Sequence, residues 1–409
     1  MGGVSMEWKE VTLGEISSKI GDGLHGTPKY DDEGPYYFIN GNNLNCGKII
    51  IKDDTKRVGI DEFVKNQKEL NEQTLLVSIN GTIGNVAKYN NEPCILGKSA
   101  CYINVIKEVD KEFIYYVLTS ANFKRNITNE ATGTTIKNVS LKQMREYKFN
   151  IPCNIADQRR IASILSSLDR KIELNNKINA DLEEMAQAIF KNWFVDFEPF
   201  KDGKFVDSEL GMIPEGWKVG CLGDMGNIVC GKTPSKANSN YYGGDIPFIK
   251  IPDMHGNVFV ENSEDRLTEE GSLSQIKKLI PPYSLMVSCI ATVGLVSINT
   301  KPSHTNQQIN TVIPHNKSAL FYLYQHIKNN EEFLKNMGRG GTTTLNVNTK
   351  SFSNIRLLIP SEIALDQFHG IVEGLFKKIE LNMHESRTLS LLRDTLLPRL
   401  MSGELEVPE

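Results

Sequence analysis

Two stretches of the chain carry an apolar stripe with the spacing of a long α-helix. In the stretch from Asp157 to Phe194, apolar residues recur at intervals of three and four, and no Pro or Gly interrupts them. At 1.5 Å per residue, positions 157–192 predict a rod of about 54 Å. An average globular helix has only about 11–12 residues. The stripe consists of Ile161, Leu165, Leu168, Ile172, Leu182, Ala186, Ile189 and Trp193.

A helix of this length cannot bury its apolar face alone, and residues 366–397 predict a second one. Pro398 is expected to end that helix because it lacks an N–H and clashes with the preceding turn. Both stripes contain a polar break, and buried Asn in such a seam costs stability but fixes register and partner choice. The second stripe consists of Val372, Leu375, Ile379, Leu389, Leu396 and Leu400, and the breaks are Asn175 with Asn179 and Asn382 with Ser386.

The chain contains an internal repeat. The sequence Lys-Ile-Glu-Leu-Asn occurs in both helices, ending at Asn175 and Asn382, and Trp8 pairs with Trp217 at an offset of 209 positions. Thr27-Pro28 matches Thr233-Pro234. Several matches in the same order indicate that a unit made of a globule followed by a long helix occurs twice in the chain. The expected boundaries are a first globule at 6–150, its helix at 151–198, a linker with the second globule at 199–358, and the second helix at 359–409.

Short strand and helix patterns mix within each globule, which makes each globule α/β or α+β, and we expect a mixed α+β fold overall. With 40% hydrophobic and 23% charged residues, the composition is that of an ordinary soluble protein. There is no 18-residue apolar run and no signal-peptide pattern, so no membrane association is expected. The seven cysteines contain no C-x-x-C pair, which favours reduced thiols in a cytoplasmic protein.

The distribution of charge does not by itself indicate DNA binding. The net charge is 0 for residues 1–150 and +3 for 211–358, but −3 for 151–210 and −4 for 359–409. The globules are therefore neutral to slightly basic and the helices acidic. Sequence-independent phosphate binding depends on clustered cations rather than on a basic average.

Three stretches resemble the specificity subunit of type I restriction–modification systems, and the resemblance spans residues 6–407. Ile213 to Asp224 looks like the opening of a target recognition domain, Ile151 to Ile161 like the entry to the family's conserved helix, and Leu396 to Leu405 like its closing motif. One departure is at the second helix entry, where Phe368-His369 replaces the basic pair Arg159-Arg160. That replacement weakens any specific role for the arginine pair.

The resemblance implies two target recognition domains that each read a few base pairs of a bipartite double-stranded DNA site. It also implies that the two long helices pack as an antiparallel coiled coil with pseudo-twofold symmetry and separate the two domains. Two methyltransferase subunits and the restriction subunits are the implied partners, and the chain itself is implied to be non-catalytic and to need no cofactor. The partner could instead be modification-only or a single-polypeptide nuclease.

A rival hypothesis is a self-contained methyltransferase or nuclease, which would need a catalytic motif of its own. The Pro281-Pro282-Tyr283 sequence follows Ile280, which offers no acceptor for a target amine. Asp54-Thr55-Lys56 lacks a suitably spaced Pro-Asp, and Gly220, Gly223 and Gly226 are better explained as loop glycines. A second rival, a coiled-coil scaffold that never touches DNA, has only the neutral charge in its favour.

Loops rich in Gly, Thr, Asn and Lys at matching places in both copies are the candidate DNA-binding segments. Gly permits close approach to phosphate, and the polar side chains reach base edges or phosphate oxygens. The alternative is that the Gly-Thr sequences shared by the two copies serve only to form turns. The candidates are His25, Thr27, Lys29, Asn80, Thr82, Thr134, Thr135 and Lys137 in the first copy, and Lys232, Thr233, Lys236, Thr292, Asn306, Gln307, Gln308, Thr342 and Thr343 in the second.

Residues that read different half-sites should differ between the copies. His25, Lys29, Gln307 and Gln308 are therefore better candidates for sequence specificity than the shared threonines.

Overall fold

The computed structural model describes residues 6–130, 137–339 and 345–407. The described chain forms two compact units. Unit 1 holds the residues up to Ile172 and those from Arg387 onward, and unit 2 holds Glu173–Ser386. Each unit consists of a globule of short strands and helices together with part of each long helix.

Unit 1 is a mixed α+β globule whose elements follow the predicted alternation of short apolar and polar runs. Its strands are β1 (Trp8–Thr12), β2 (Ser17–Asp22), β3 (Tyr36–Ile39), β4 (Leu44–Asn45), β5 (Lys48–Ile49), β6 (Arg57–Val58), β7 (Thr74–Ser78), β8 (Val86–Lys88), β9 (Cys94–Leu96), β10 (Ala100–Val105) and β11 (Lys148–Pro152). Its helices are α1 (Ile60–Asn66), α2 (Lys111–Thr119), α3 (Ala121–Glu130), α4 (Leu141–Glu146) and the first part of α5 (Ile155–Phe194).

Two sheets carry the globule of unit 1. One is antiparallel with strand order β2-β10-β7-β8. The other has order β6-β3-β9, in which β3 and β9 run parallel. Strands β7 and β10 are buried on both faces, which accounts for their continuous apolar runs.

Unit 2 repeats this arrangement. Its strands are β12 (Phe205–Val206), β13 (Ile213–Pro214), β14 (Lys218–Cys221), β15 (Gly226–Cys230), β16 (Tyr242–Ile249), β17 (Phe259–Val260), β18 (Arg266–Leu267), β19 (Leu285–Ser288), β20 (Val296–Asn299), β21 (His304–Thr305), β22 (Ile309–Pro314) and β23 (Arg356–Ile359). Its helices are α6 (Leu222–Met225), α7 (Ile251–Met254), α8 (Glu269–Leu273), α9 (Leu320–Asn329), α10 (Glu331–Gly338), α11 (Thr349–Ser353) and part of α12 (Glu362–Met401).

The sheet topology confirms the repeat that the sequence predicts. The order β15-β22-β19-β20 matches β2-β10-β7-β8, and β18-β16-β21, with a parallel β16–β21 pair, matches β6-β3-β9. The antiparallel pair β14–β23 corresponds to β1–β11. Strand β1 in unit 1 and strand β14 in unit 2 are thus each hydrogen-bonded to the strand that enters a long helix.

Both predicted long helices are present. Helix α5 spans 40 residues, and α12 spans 40 residues and continues through Pro398 to Met401. The expectation that Pro398 ends the second helix is therefore wrong. The missing N–H costs one intrahelical bond near the end, but Leu397 and Leu400 are buried in the core of unit 1 and hold the last turn in place. No helix in the described part of the chain is apolar enough over a sufficient length to cross a membrane.

The polar breaks of the two helices meet in unit 2 and form a polar layer. The Asn175 amide donates to Ser386 Oγ at 3.2 Å and to Glu385 Oε2 at 2.8 Å, and the Asn382 amide donates to Asn179 Oδ1 at 2.9 Å. Because the contacts descend along α12 as they ascend along α5, the helices are antiparallel here. Asn175 is fully buried, so a shifted register would leave its amide without partners.

The helices also supply much of each core, with several residues that the stripe prediction missed. In unit 2 the fully buried rings of Phe368 and Phe376 belong to the core although neither lies on the predicted seam. Phe376 stacks on Phe321 with ring centroids 4.1 Å apart. Two further rings, Phe190 and Phe194, replace the predicted seam position Trp193, which is only half-buried. The globule covers a second face of each helix, so the buried face is wider than a coiled-coil seam.

The β7–β8 turn of unit 1 and the β19–β20 turn of unit 2 are built alike, with one difference in backbone strain. Gly81 has φ +75°, and the matching residue of unit 2, Ala291, has φ +64°. A residue with a Cβ pays about 1–2 kcal/mol in this left-handed region, whereas glycine does not. Both positions are exposed, and a Cβ added at Gly81 would meet no atom within 4 Å. A methyl group at Gly81 would therefore add only a backbone cost, and the positive φ of Ala291 carries that cost already.

The buried ring of Phe376 is expected to be a large contributor to stability. Replacing it by alanine (Phe376→Ala) removes the ring from a closed core and is expected to lower the free energy of unfolding by about 3–5 kcal/mol. Leu381→Ala on the same helix is the matched control, because Leu381 is 53% exposed and should change stability by less than about 0.5 kcal/mol. Chemical denaturation of the full chain measures both, and similar losses for the two variants would contradict the assigned core.

The β7–β8 turn and its equivalent in unit 2 predict changes of opposite sign in the free energy of unfolding when Gly81 and Ala291 are exchanged for each other's residue type. Ala291→Gly should raise the free energy of unfolding by about 1 kcal/mol, because it relieves the left-handed strain. Gly81→Ala should lower it by a similar amount, since the added methyl group meets no clash and only the backbone cost remains. Thermal melts of the two single variants test this, and a destabilising Ala291→Gly change is the outcome that refutes it.

Candidate nucleic-acid interface

Four turns of unit 1 meet at one edge of its two sheets. They follow β2 (Gly23–His25) and β3 (Asn40–Asn43), or connect β7 to β8 (Ile79–Asn85) and β9 to β10 (Gly97–Ser99). An isolated bridge between Asn80 and Asn138 adds the segment before α4. We call these segments loop cluster 1.

Backbone hydrogen bonds lock loop cluster 1 together. Each turn donates to, or accepts from, a residue of another turn or of the strand end beside it. Such bonds fix the backbone and leave only side chains free to vary. The pairs, from N–H to carbonyl oxygen, are Leu24 to Leu96 (2.7 Å), Gly97 to Ile39 (2.8 Å), Ile79 to Ser99 (3.0 Å) and Val139 to Ile79 (2.9 Å).

Unit 2 builds the same structure from different residues, which we call loop cluster 2. It comprises Gly231–Thr233, Lys250–Asp253, Cys289–Leu295, Asn306–Gln308 and the bridge from Ile290 to Asn346. The equivalent bonds run from Lys232 to Thr305 (2.9 Å), Asn306 to Ile249 (3.2 Å), Cys289 to Gln308 (2.8 Å) and Val347 to Cys289 (2.8 Å).

These equivalent bonds align the two clusters residue by residue. The alignment corrects one match made from the sequence: Thr27-Pro28 does not correspond to Thr233-Pro234. The equivalent bonds of Leu24 and Lys232 make His25 the structural equivalent of Thr233. The residue equivalent to Thr233 is therefore two positions before Thr27. The other equivalent pairs are Asn40 with Lys250, Asn80 with Ile290, Thr82 with Thr292, Lys98 with Gln307 and Ser99 with Gln308.

The clusters bring together most, but not all, of the predicted DNA-binding residues. Lys29 and Lys236 lie elsewhere, because the chain beyond each of them returns to the start of β3 or β16, whereas the clusters follow the ends of those strands. Thr27 is exposed two residues beyond His25. Within the clusters lie His25, Asn80, Thr82 and Lys137 of the first copy and Lys232, Thr233, Thr292, Asn306, Gln307 and Gln308 of the second; Thr134, Thr135, Thr342 and Thr343 fall outside the described residues.

Some of these side chains are already committed to the turn itself. Asn306 is buried, and its amide donates to Gln308 Oε1 at 2.9 Å, so it shapes the turn rather than facing solvent. Thr233 Oγ1 donates to Gln307 Oε1 at 2.7 Å. The exposed His25 ring places Nε2 2.6 Å from Asp22 Oδ2, which orients the imidazole.

Two residues of the loop clusters, Lys98 and Lys250, are not among the DNA-binding candidates predicted from the sequence. Lys98 is exposed at the tip of the β9–β10 turn, and Lys250 pairs with the Asp265 carboxylate. A signal for Lys98 existed, because the offset of 209 positions that relates Trp8 to Trp217 also relates Lys98 to Gln307. The same offset does not find Lys250, because its structural equivalent in unit 1, Asn40, is 210 positions away rather than 209.

Buried polar groups under loop cluster 2 are neutral. Burial lowers the pKa of His304 to about 4, so its imidazole is uncharged at neutral pH, and its Nε2 lies 2.8 Å from Ser272 Oγ. Burial likewise raises the pKa of the Cys289 thiol to about 11, which leaves it protonated. The charge presented by the cluster therefore comes from its exposed side chains.

The exposed groups of the clusters suit hydrogen bonding and charge pairing. Amide, hydroxyl, imidazole and ammonium groups on a rigid backbone can contact phosphate oxygens and base edges. In the described ranges no group of three or more His, Cys, Asp or Glu side chains could hold a metal ion.

Comparisons with known proteins point to one family. The model for the type I restriction modification DNA specificity domain matches residues 6–184 and again residues 214–389. The HindI type I restriction enzyme specificity subunit of Haemophilus influenzae is 38% identical over 356 residues, which is 72% of this chain and 77% of that protein. The MjaIX specificity subunit of Methanocaldococcus jannaschii is 28% identical over 94% of this chain and 87% of its own length.

A solved structure supports the same fold. The crystal structure of the type I restriction–modification S subunit from M. genitalium aligns over 98% of this chain and 97% of its own with a TM-score of 0.59. At 18% identity this likeness concerns the fold alone. Since the family model matches most of the chain in two consecutive copies, the chain belongs to the type I restriction–modification DNA specificity family.

Proposed function

We propose that this chain selects the DNA sequence on which a type I restriction–modification complex acts. Each globule, 6–150 and 199–358, is a target recognition domain that reads one half of a bipartite site through its loop cluster. The chain thereby directs adenine methylation and restriction by partner subunits and performs no chemistry itself.

The observation that carries the proposal is one backbone arrangement built twice with different exposed side chains. Because main-chain bonds hold the turns, the exposed positions can differ in hydrogen-bonding character at otherwise equivalent turns without loss of the fold. Lys98 against Gln307 and His25 against Thr233 change charge, donors and acceptors while the backbone bonds are kept. Two readers of two different half-sites require this combination.

The partners are double-stranded DNA, two methyltransferase subunits and the restriction subunits. Support comes from the relatives, which are specificity subunits of type I restriction enzymes. We infer a cytoplasmic location, with which the unpaired cysteines of the described chain agree.

The first test is methylation mapping. Co-expression of this chain with its methyltransferase subunit should yield methylated adenines within two short half-sites separated by a fixed gap. Mapping modified adenines across a plasmid or genome measures target and gap together. Methylation by the partner without this chain, or a continuous undivided motif, refutes the proposal.

A second test addresses loop cluster 2 alone. Replacing both Gln307 and Gln308 by alanine should weaken recognition of one half-site only, because both residues belong to the cluster of a single globule. Binding to duplexes in which one half-site at a time is scrambled measures the effect. We expect the double variant to lose most of its discrimination at one half-site and to keep that at the other.

The matched control is Lys317→Ala, because Lys317 is exposed beyond the opposite end of β22 and should leave both half-sites unaffected. Equal loss for both half-sites in the glutamine variant, or no loss at either, is incompatible with cluster 2 as a half-site reader.

A further inference from the structure

We propose that a single equivalent turn position, Lys98 in unit 1 and Gln307 in unit 2, selects a base in each half-site. Lys98 selects guanine and Gln307 selects adenine. This inference rests on the proposed function and deepens it, because it assigns a base preference to one residue of each loop cluster.

The backbone on either side of this position is fixed in the same way in both units. In unit 1 the N–H of Gly97 donates to Ile39 at 2.8 Å, and the carbonyl of Ser99 accepts from Ile79 at 3.0 Å. In unit 2 the corresponding bonds join Asn306 to Ile249 and Cys289 to Gln308. The residue between these anchors is exposed at the tip of the turn, so its side chain can change without disturbing the turn.

The neighbouring positions differ in a way that preserves the turn. In unit 1 Asn40 Oδ1 accepts a hydrogen bond from Ser99 Oγ at 3.0 Å, and a Cβ on Gly97 would lie only 2.2 Å from that oxygen. In unit 2 Lys250 stands in place of Asn40, and a buried asparagine, Asn306, stands in place of the glycine. The two changes compensate each other sterically, so these positions maintain the turn while the tip residue remains free to specify a base.

Both tip side chains have hydrogen-bonding capacity to spare. Over the ranges 6–130, 137–339 and 345–407, Lys98 has no hydrogen-bond or ion-pair partner. Gln307 accepts one bond from Thr233 at its carbonyl oxygen, which orients the amide, and its NH₂ has no partner in the same described ranges. A side chain oriented on one side and unbound on the other is suited to contact a base edge without a large ordering cost.

The chemistry of the two side chains assigns the bases. The lysine ammonium has three donors and no acceptor, and guanine offers two acceptors, O6 and N7, in the major groove. The Gln307 amide has a donor in its NH₂ and an acceptor in the second lone pair of its oxygen, beside the one that Thr233 uses, and these match N7 and the N6 amino group of adenine. The exposed threonine shared by both clusters, Thr82 or Thr292, is equivalent in the two units and therefore does not distinguish the half-sites.

The experiment exchanges the two residues singly in the complex of the full chain with its methyltransferase subunit. Lys98→Gln should change the preferred base at one position of one half-site from guanine to adenine. Gln307→Lys should make the reverse change in the other half-site. Sequencing of random duplexes selected by binding measures both preferences, and the expected shift is on the order of tenfold at that position. The unaltered half-site of each variant reports that the complex is folded and binding.

A matched control is Lys107→Gln, which replaces an exposed lysine beyond the opposite end of β10 and should leave the selected sequences unchanged. Two results overturn the inference while sparing the proposed function. One is an unchanged base preference in both exchange variants. The other is uniform weakening over all sequences with a smaller salt dependence, which identifies Lys98 as a phosphate contact. A wild-type complex that selects no two-part sequence overturns the proposed function as well.

Discussion

Burial of an apolar face on each of two 40-residue helices is the constraint on which the rest of the structure depends. Neither helix can be stable alone in water with that face exposed, and within each unit both the other helix and a globule cover it. The polar layer at Asn175 and Ser386 then removes the freedom to slide, because any other register strands a buried amide. The repeat follows from the same requirement, since each helix enters directly from a strand of its globule.

A second constraint separates the framework of each loop cluster from its chemistry. Main-chain hydrogen bonds define the turns, so the turns do not depend on which side chain occupies a tip. Where a side chain does take part, as at Asn40, the neighbouring residue differs as well: Asn40 lies beside Gly97 in unit 1, whereas Lys250 and Asn306 occupy these positions in unit 2. Substitution at the tips can therefore leave the turns intact, which is the arrangement that the proposed reading of DNA by the tips requires.

The sequence was most informative where periodicity and repetition decide the structure. The long helices and the polar breaks between them could be predicted from spacing, because burial imposes spacing directly. The repeat of the globules could be predicted from shared sequences in the same order, but the strand order of their sheets could not. Other features depend on contacts that spacing does not encode. The helix continues through Pro398 with Leu397 and Leu400 packed in the core on either side of it, and the equivalence of His25 and Thr233 is fixed by main-chain bonds rather than by a shared sequence. Lys98 was not among the candidates because its equivalent, Gln307, is a different residue type, so the repeat offset of 209 positions pairs them without a shared sequence.

The neutral charge of the globules is compatible with DNA reading once local and average charge are distinguished. Base recognition needs a few donors and acceptors held in place, and such contacts add discrimination rather than bulk attraction. The buried imidazole of His304 and the buried thiol of Cys289 are held neutral, so they add no charge beneath loop cluster 2. Under the proposed function, such a reader would distinguish sequences by hydrogen-bond geometry at the turn tips. Strong sequence-independent attraction to phosphate would raise affinity for every site equally and would leave that discrimination unchanged.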